Sequence, residues 1–132
     1  MSKILCMSYI HSNPNPTNKQ CGDCVVRAFA IATDSDWDTA YLKLVLRGYV
    51  MRDMPSSNSV WDAQLLNEGF VREIIPNTCP YCYTIKDFCK DHPYGTYVLG
   101  TGSHAVAIID GDYYDAWDSG DEIPTYFYRK EH

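Results

Sequence analysis

A cysteine that opens an apolar helix pattern is the residue best suited to nucleophilic chemistry in this sequence. Cys21 and Cys24 lie three residues apart in the stretch NKQCGDCVVRAFAIA, and an apolar run follows from Cys24 to Thr33. A thiol in the first turn of a helix lies near unpaired backbone N–H groups and the positive end of the helix dipole. These groups stabilise a thiolate and lower the thiol pKa. We expect Cys24 to be the nucleophile, with Cys21 in the preceding loop; the alternative is a small buried hydrophobic residue.

A histidine at the start of a predicted strand is the candidate general base. His104 follows the stretch GTGS and precedes the apolar run AVAIID. A histidine in this position is held by the sheet on one side and exposed on the other, which suits proton transfer to and from a substrate. The alternative is a surface histidine at a strand end.

The register of the next hairpin decides which aspartate faces His104. If residues 110–112 form a three-residue loop, the pairing places Asp118 opposite His104. If the Asp-Gly pair alone forms a tight turn, Asp115 lies on the same face as His104. A slip of one residue turns every side chain to the other face of the sheet. We favour Asp118 as the carboxylate that orients the imidazole, with Asp115 as the alternative.

The order of the predicted elements indicates an α+β fold in one domain over residues 1–132. The first half of the chain has helical patterns, and strand patterns dominate the second half. We therefore expect N-terminal helices packed on a mostly antiparallel sheet. The predicted helices cover 24–33, 36–51, 58–68 and 84–92, and the predicted strands cover 70–75, 96–101, 104–110, 112–117 and 124–130.

The composition excludes several classes of partner. The 132 residues are 45% hydrophobic and 21% charged, with a formal net charge of −6 and no basic stripe, so nucleic acid is not an expected partner. No segment approaches the roughly 18 apolar residues of a membrane span. The apolar part of MSKILCMSYIHSNPNP is too short for a secretory signal. We expect a cytoplasmic protein that does not bind membranes and whose six cysteines are mostly reduced.

Four possible metal ligands lie in the middle of the chain. Cys79, Cys82, Cys89 and His92 form the pattern C-x2-C-x6-C-x2-H, a set of soft ligands that zinc accepts. The six-residue gap is short for a zinc ribbon or finger, and the helix predicted over 84–92 would bury Cys89 as a packing residue. We therefore expect no metal and no other cofactor, with a small zinc module as the alternative.

The motifs around Cys24 and His104 resemble those of the papain-like cysteine peptidase superfamily. CGDC resembles the family's C-G-x-C motif, whose second cysteine is the nucleophile, and HAVAIID resembles its His-Ala-Val strand, which carries the base. The resemblance implies a papain-like fold with Cys24, His104 and Asp118 as the catalytic residues. The stretch DAW at 115–117 resembles the family's Asn-Ser-Trp and keeps Asp115 as the alternative third member.

The same resemblance implies a side-chain amide that helps to form an oxyanion hole. The family has this donor six positions before the nucleophile, which is Asn18 in this chain, and Asn15 and Gln20 are further candidates. The stretches GDCVVRA, TGSH and DAWDSGDEIP also resemble a group of small proteins of gut bacteria and their phages.

These residues predict a cysteine hydrolase that acts on an amide bond of a protein or peptide, as a peptidase or isopeptidase. Deamidation and acyl transfer use the same machinery and remain open. The alternative is a catalytically idle papain-like scaffold that serves as a protein-binding factor, such as one encoded by a phage. Its binding surface would draw on five aromatic residues of the C-terminal half, namely Tyr113, Tyr114, Trp117, Tyr126 and Tyr128.

Overall fold

The computed structural model describes residues 8–19, 21–76 and 82–131, which form four helices and a six-stranded mixed sheet. The predicted α+β class is confirmed. In chain order the elements are β1 (Tyr9–His11), α1 (Cys24–Ala32), α2 (Trp37–Met51), α3 (Asn58–Asn67), β2 (Phe70–Ile74), α4 (Ile85–Asp91), β3 (Thr96–Gly100), β4 (Ala105–Ile109), β5 (Asp112–Asp115) and β6 (Tyr126–Lys130). Strand β1 is the one described element that the sequence patterns do not predict.

The strands are ordered β1-β5-β4-β3-β6-β2 across the sheet. Every neighbouring pair is antiparallel except β1 with β5, which run parallel, so the expectation of a mostly antiparallel sheet is correct. The end of β5, the start of β4 and the end of β3 therefore lie side by side at the same end of the sheet. This end of the sheet lies beside the start of α1 and carries the candidate site.

Each face of the sheet has its own apolar core. One core joins α1, α2 and α3 to residues of β3, β4 and β6 such as Val98, Ala107 and Tyr128. The other core joins α4 to the opposite face, including Val106 and Ile108. The alternation along β4 follows from the two-residue period of a strand, which sends successive side chains to opposite faces.

Helix α1 is the central helix of the first core. Six of its nine residues are buried, among them Phe29 and Ala30. Small side chains at Ala105 and Ala107 of β4 face this helix, and small residues allow a helix and a sheet to approach closely. The close approach brings the start of α1 next to the start of β4.

Three helices have a polar residue at the N-cap position. Asp36 caps α2 by accepting a hydrogen bond from the Thr39 backbone N–H, and Thr84 forms a reciprocal capping box with Asp87 at α4. Ser57 takes the N-cap position of α3. Over the described ranges, none of these helices has both the length and the apolar character that a membrane span requires.

Candidate active site

The fold brings Cys24 and His104 together. Cys24 is the first residue of α1 and is partly buried, while His104 directly precedes β4. The Cys24 thiol lies beside the His104 side chain and the backbone N–H of Ala105, and all three residues line one cavity. The predicted nucleophile and the predicted base are therefore direct neighbours, although the two residues are far apart in the sequence.

The carboxylate that contacts His104 is Asp115. Nε2 of His104 lies 2.5 Å from Oδ2 of Asp115, and both side chains are at least nine-tenths buried. Since Asp115 occupies Nε2, the ring nitrogen that remains for the Cys24 thiol is Nδ1. The order thiol, imidazole, carboxylate is the arrangement of a nucleophile, a base and an orienting group.

The prediction that Asp118 faces His104 is wrong. Ile109 pairs with Asp112, so the hairpin has a tight two-residue turn at Asp110 and Gly111 rather than a three-residue loop. Both turn residues have positive φ, of 50° and 81°, as a type I′ turn requires. The register therefore selects Asp115. Asp118 is exposed and accepts instead from the Tyr113 hydroxyl and the Gly120 backbone N–H.

Further hydrogen bonds hold Asp115 in place. Oδ2 accepts from the Ser119 hydroxyl at 2.6 Å, and Oδ1 accepts from the backbone N–H of Ala116 at 2.8 Å. The backbone carbonyl of Asp115 accepts from the Ser12 N–H and the Tyr9 hydroxyl. These last two contacts come from the β1 region, so the short parallel strand supports the residue that orients the base.

A buried ion-pair network extends from Asp115 into α1. Nη2 of Arg27 lies 3.7 Å from Oδ1 of Asp115, and Nη1 of Arg27 donates to Oδ1 of Asp23. Asp23 also accepts from Nε1 of Trp37 at 3.0 Å and from Nδ2 of Asn15 at 3.4 Å. Asp23 occupies the N-cap position of α1 but makes no side-chain capping bond. Its carboxylate serves the network instead.

The electrostatics of the site favour a charged thiol and imidazole. Burial acts to raise the pKa of Cys24, but its hydrogen bonds to His104 and the Ala105 N–H, and the positive charges of His104 and Arg27, lower it below the ordinary value. Burial acts to lower the pKa of His104, yet its hydrogen bonds to Asp115 and Cys24 raise it to about 9. The two shifts widen the pH range in which thiolate and imidazolium coexist.

An indole covers one face of the His104 ring. The rings of Trp117 and His104 are stacked, with centroids 4.9 Å apart and planes at 30°. Because Trp117 stacks on the imidazole and is itself 48% exposed, it lies between that face of the ring and solvent. A tryptophan face also attracts a nearby cation, which favours the imidazolium.

A cavity of about 250 Å³ opens at the thiol and the imidazole. Oδ1 of Asn58 accepts from Nε1 of Trp61 at 2.9 Å, which leaves the NH2 of this amide for another partner. Asn58 therefore contributes an amide donor to the lining of this cavity. The cavity is lined by Gly22, Cys24, Val25, Ser56, Asn58, Trp61, Gly102, Ser103, His104, Ala105 and Tyr126.

The fold does not bring Asn18 to this cavity. Asn18 is exposed in a turn with φ of 53°, its backbone N–H donates to the carbonyl of Asn15, and it is absent from the cavity lining. Its side chain therefore does not supply the oxyanion donor that the resemblance to the papain-like family implies. Asn15 is buried against Asp23, and Gln20 lies outside the described residues.

The candidate zinc ligands are only partly described. Cys79 lies outside the described residues, and Cys82 is exposed. Cys89 is a buried residue of α4 in the second core, as the sequence predicts for a packing residue. The His92 ring stacks on Phe88, with ring centroids 3.8 Å apart. Across residues 8–19, 21–76 and 82–131, no three His, Cys, Asp or Glu side chains are grouped to hold a metal ion.

Sequence reasoning missed the residues that support the triad. Arg27 is the one charged residue of α1, and its four-residue spacing from Asp23 is the spacing of a helical ion pair. No local signal points to Ser119, because its hydroxyl reaches Asp115 from the loop after β5. The sequence indicates Trp117 as part of the DAW motif or of a binding surface, but not its stacking on His104.

Comparison of the chain with protein-family models, with curated proteins and with solved structures gave no match.

Proposed function

We propose that the protein is a papain-like cysteine hydrolase that cleaves an amide bond of a protein or peptide. One observation carries the proposal: His104 lies between the Cys24 thiol at the start of α1, whose pKa it lowers, and the Asp115 carboxylate, to which it is hydrogen-bonded. Cys24 and His104 line a cavity, so a substrate carbonyl can approach the thiol. The motifs that resemble the papain-like family fall on Cys24 and His104, and its Asn-Ser-Trp motif falls on the residues around Asp115.

Cleavage would proceed through an acyl-enzyme. The Cys24 thiolate attacks the carbonyl carbon, and the C=O electron pair moves to oxygen to give a tetrahedral oxyanion. When this intermediate collapses, the C–N bond breaks and the His104 imidazolium gives its proton to the leaving nitrogen. His104 then removes a proton from water, and the resulting hydroxide attacks the thioester. The C–S bond breaks and the acid product leaves, which restores the Cys24 thiolate beside the protonated His104.

The oxyanion would be held by donors at the start of α1 and in the cavity wall. The backbone N–H of Cys24 belongs to the first turn of the helix, where N–H groups have no partner within the helix. The Asn58 amide, turned by its bond to Trp61, is the side-chain donor that we propose in place of Asn18. A donor in this role is worth about 10²–10³ in kcat.

The alternative of a protein-binding scaffold draws less support from the structure. Tyr113 and Tyr128, two of the five aromatics that were to form its surface, are 2% and 1% exposed and belong to opposite cores. Trp117 stacks on His104 and is thus part of the candidate site. The aromatic residues therefore do not make one surface.

Selective alkylation tests the proposed nucleophile. Because the pKa of Cys24 is lowered, its thiolate forms at lower pH than that of an ordinary thiol, whose pKa is about 8.5. At about pH 6.5 we expect iodoacetamide to modify Cys24 about tenfold faster than each of the other five cysteines, as followed by peptide mass spectrometry. His104→Ala removes a hydrogen bond and a positive charge from the thiolate, so the pKa of Cys24 rises and its alkylation slows.

Cys21 serves as the internal control because it is exposed and only three residues away. Its alkylation should be slower than that of Cys24 and should not respond to His104→Ala. Equal rates at Cys21, Cys24 and Cys82 at about pH 6.5 would contradict an activated nucleophile.

A further inference from the structure

We propose that an apolar hollow beside the candidate active site binds an aromatic or large aliphatic side chain of a peptide substrate. The hollow lies between α1, α2 and the loop that precedes α1, and we call it the α2 hollow. Its volume is about 650 Å³, more than twice that of the cavity at Cys24. The inference rests on the proposed function, because the scissile bond is placed at Cys24.

Two stacked aromatic rings form a wall of the α2 hollow. Trp37 and Tyr41 lie one helical turn apart on α2, with ring centroids 4.9 Å apart and planes within 12° of parallel. Tyr41 is 43% exposed even though it carries a large apolar ring. Pro16, Pro55 and Val25 contribute further apolar lining. Flat aromatic and proline surfaces favour a ring or a branched aliphatic chain over a polar one.

The α2 hollow adjoins the cavity at the nucleophile. Gly22, Val25 and Ser56 line both spaces. Gly22 and Val25 flank Cys24 closely in sequence, so the residues that the two spaces share lie beside the nucleophile. A peptide whose carbonyl contacts Cys24 can therefore place a nearby side chain in the hollow.

The charges around the hollow do not select a charged side chain. Lys19 and Asp38 contribute one charge of each sign to the lining. Asp23 also lines the hollow, but Arg27 pairs with its carboxylate. Because the formal charges of these side chains balance, apolar contact decides which side chain binds.

Peptide binding to the Cys24→Ala variant tests the hollow without requiring turnover. The probes are eight N-acetylated, C-amidated octapeptides of Gly, Ser and Ala that each carry one Phe at a different position. We expect Phe at one position to tighten Kd about tenfold relative to Ala, by isothermal titration, and Asp or Lys at that position to give no gain. Adding Tyr41→Ala should remove most of the gain from Phe, so that the Phe and Ala peptides bind with similar Kd.

Tyr49→Ala is the matched control, since Tyr49 lies on the same helix, is 67% exposed and does not line the hollow. It should leave the preference for Phe intact. The inference is overturned if Phe strengthens binding at no position, or if Tyr41→Ala weakens the Phe and Ala peptides equally. Turnover by the wild-type protein is measured separately: selective binding without turnover contradicts the hydrolase but not the hollow, and turnover without a preference for Phe contradicts only the hollow.

Discussion

Asp115→Asn is expected to lower kcat/KM for amide hydrolysis by about 10²-fold or more, whereas Asp118→Asn should change it by less than about threefold. Asp115 uses both carboxylate oxygens as acceptors, from His104 and Ser119 on one side and from the Ala116 N–H on the other. An asparagine must turn its NH2 toward one of these donors. It also loses the charge that stabilises the imidazolium of His104.

Titration of His104 by NMR separates this effect from a loss of folding. Asp115 is a main cause of the raised His104 pKa of about 9, so Asp115→Asn should move that pKa toward the ordinary value of about 6.5. Asp118→Asn should leave it near 9, because Asp118 bonds Tyr113 and Gly120 instead. A larger loss of activity from Asp118→Asn than from Asp115→Asn would contradict the assignment.

Arg27→Met is expected to destabilise the protein by about 3–5 kcal/mol. The arginine is 8% exposed and lies between two carboxylates, Asp23 and Asp115, which are 6% and 3% exposed. Methionine keeps much of the side-chain volume but removes the guanidinium that lies between both carboxylates. Urea unfolding, followed by circular dichroism, measures the change.

Arg129→Met provides the comparison for an exposed ion pair. Arg129 bonds Glu73 and Glu131, and its side chain is 40% exposed. Its replacement should leave the free energy of unfolding close to that of the wild type, because solvent screens exposed pairs. Equal costs for the two arginines would contradict a structural role for the buried network.

The local patterns of the sequence predict the helices and most strands well. Cys24 begins α1 as its apolar run indicates, and Asp36 and Thr84 cap the helices that follow them. These features depend on neighbouring residues, which is why spacing and side-chain type are sufficient. The pairing of Cys24 with His104 is indicated by their residue types and their positions at the starts of a helix and a strand, and by the likeness of two short motifs to a family.

The errors lie where distant segments meet. The choice between Asp115 and Asp118 depends on one residue of register, and the tight turn at the Asp-Gly pair decides it. That dipeptide is the strong signal for a two-residue turn, so the sequence contains the information and the longer loop was the wrong choice. Strand β1 has only three residues and pairs with β5 across the whole chain, so no local pattern identifies it.

The long-range contacts explain what remained hidden at the site. Ser12 and Tyr9 bond the carbonyl of Asp115, and Arg27 reaches its carboxylate from the opposite half of the chain. Each of these contacts exists only after β1, α1 and β5 have assembled. Asn18 does not line the cavity, and its backbone N–H is bonded within a turn to the carbonyl of Asn15.

We expect Cys24 to form a covalent acyl-enzyme during hydrolysis. Mass spectrometry of the wild-type protein tests this directly. The protein is quenched with acid after brief reaction with the p-nitrophenyl ester of N-acetylphenylalanine, because a reactive ester allows the acyl-enzyme to accumulate. We expect an added N-acetylphenylalanyl mass that maps to Cys24, together with a matching burst of p-nitrophenol. Neither should appear with Cys24→Ala. Ester cleavage by the wild-type protein that leaves Cys24 unmodified, or an adduct of equal yield in Cys24→Ala, would contradict the proposed acyl-enzyme.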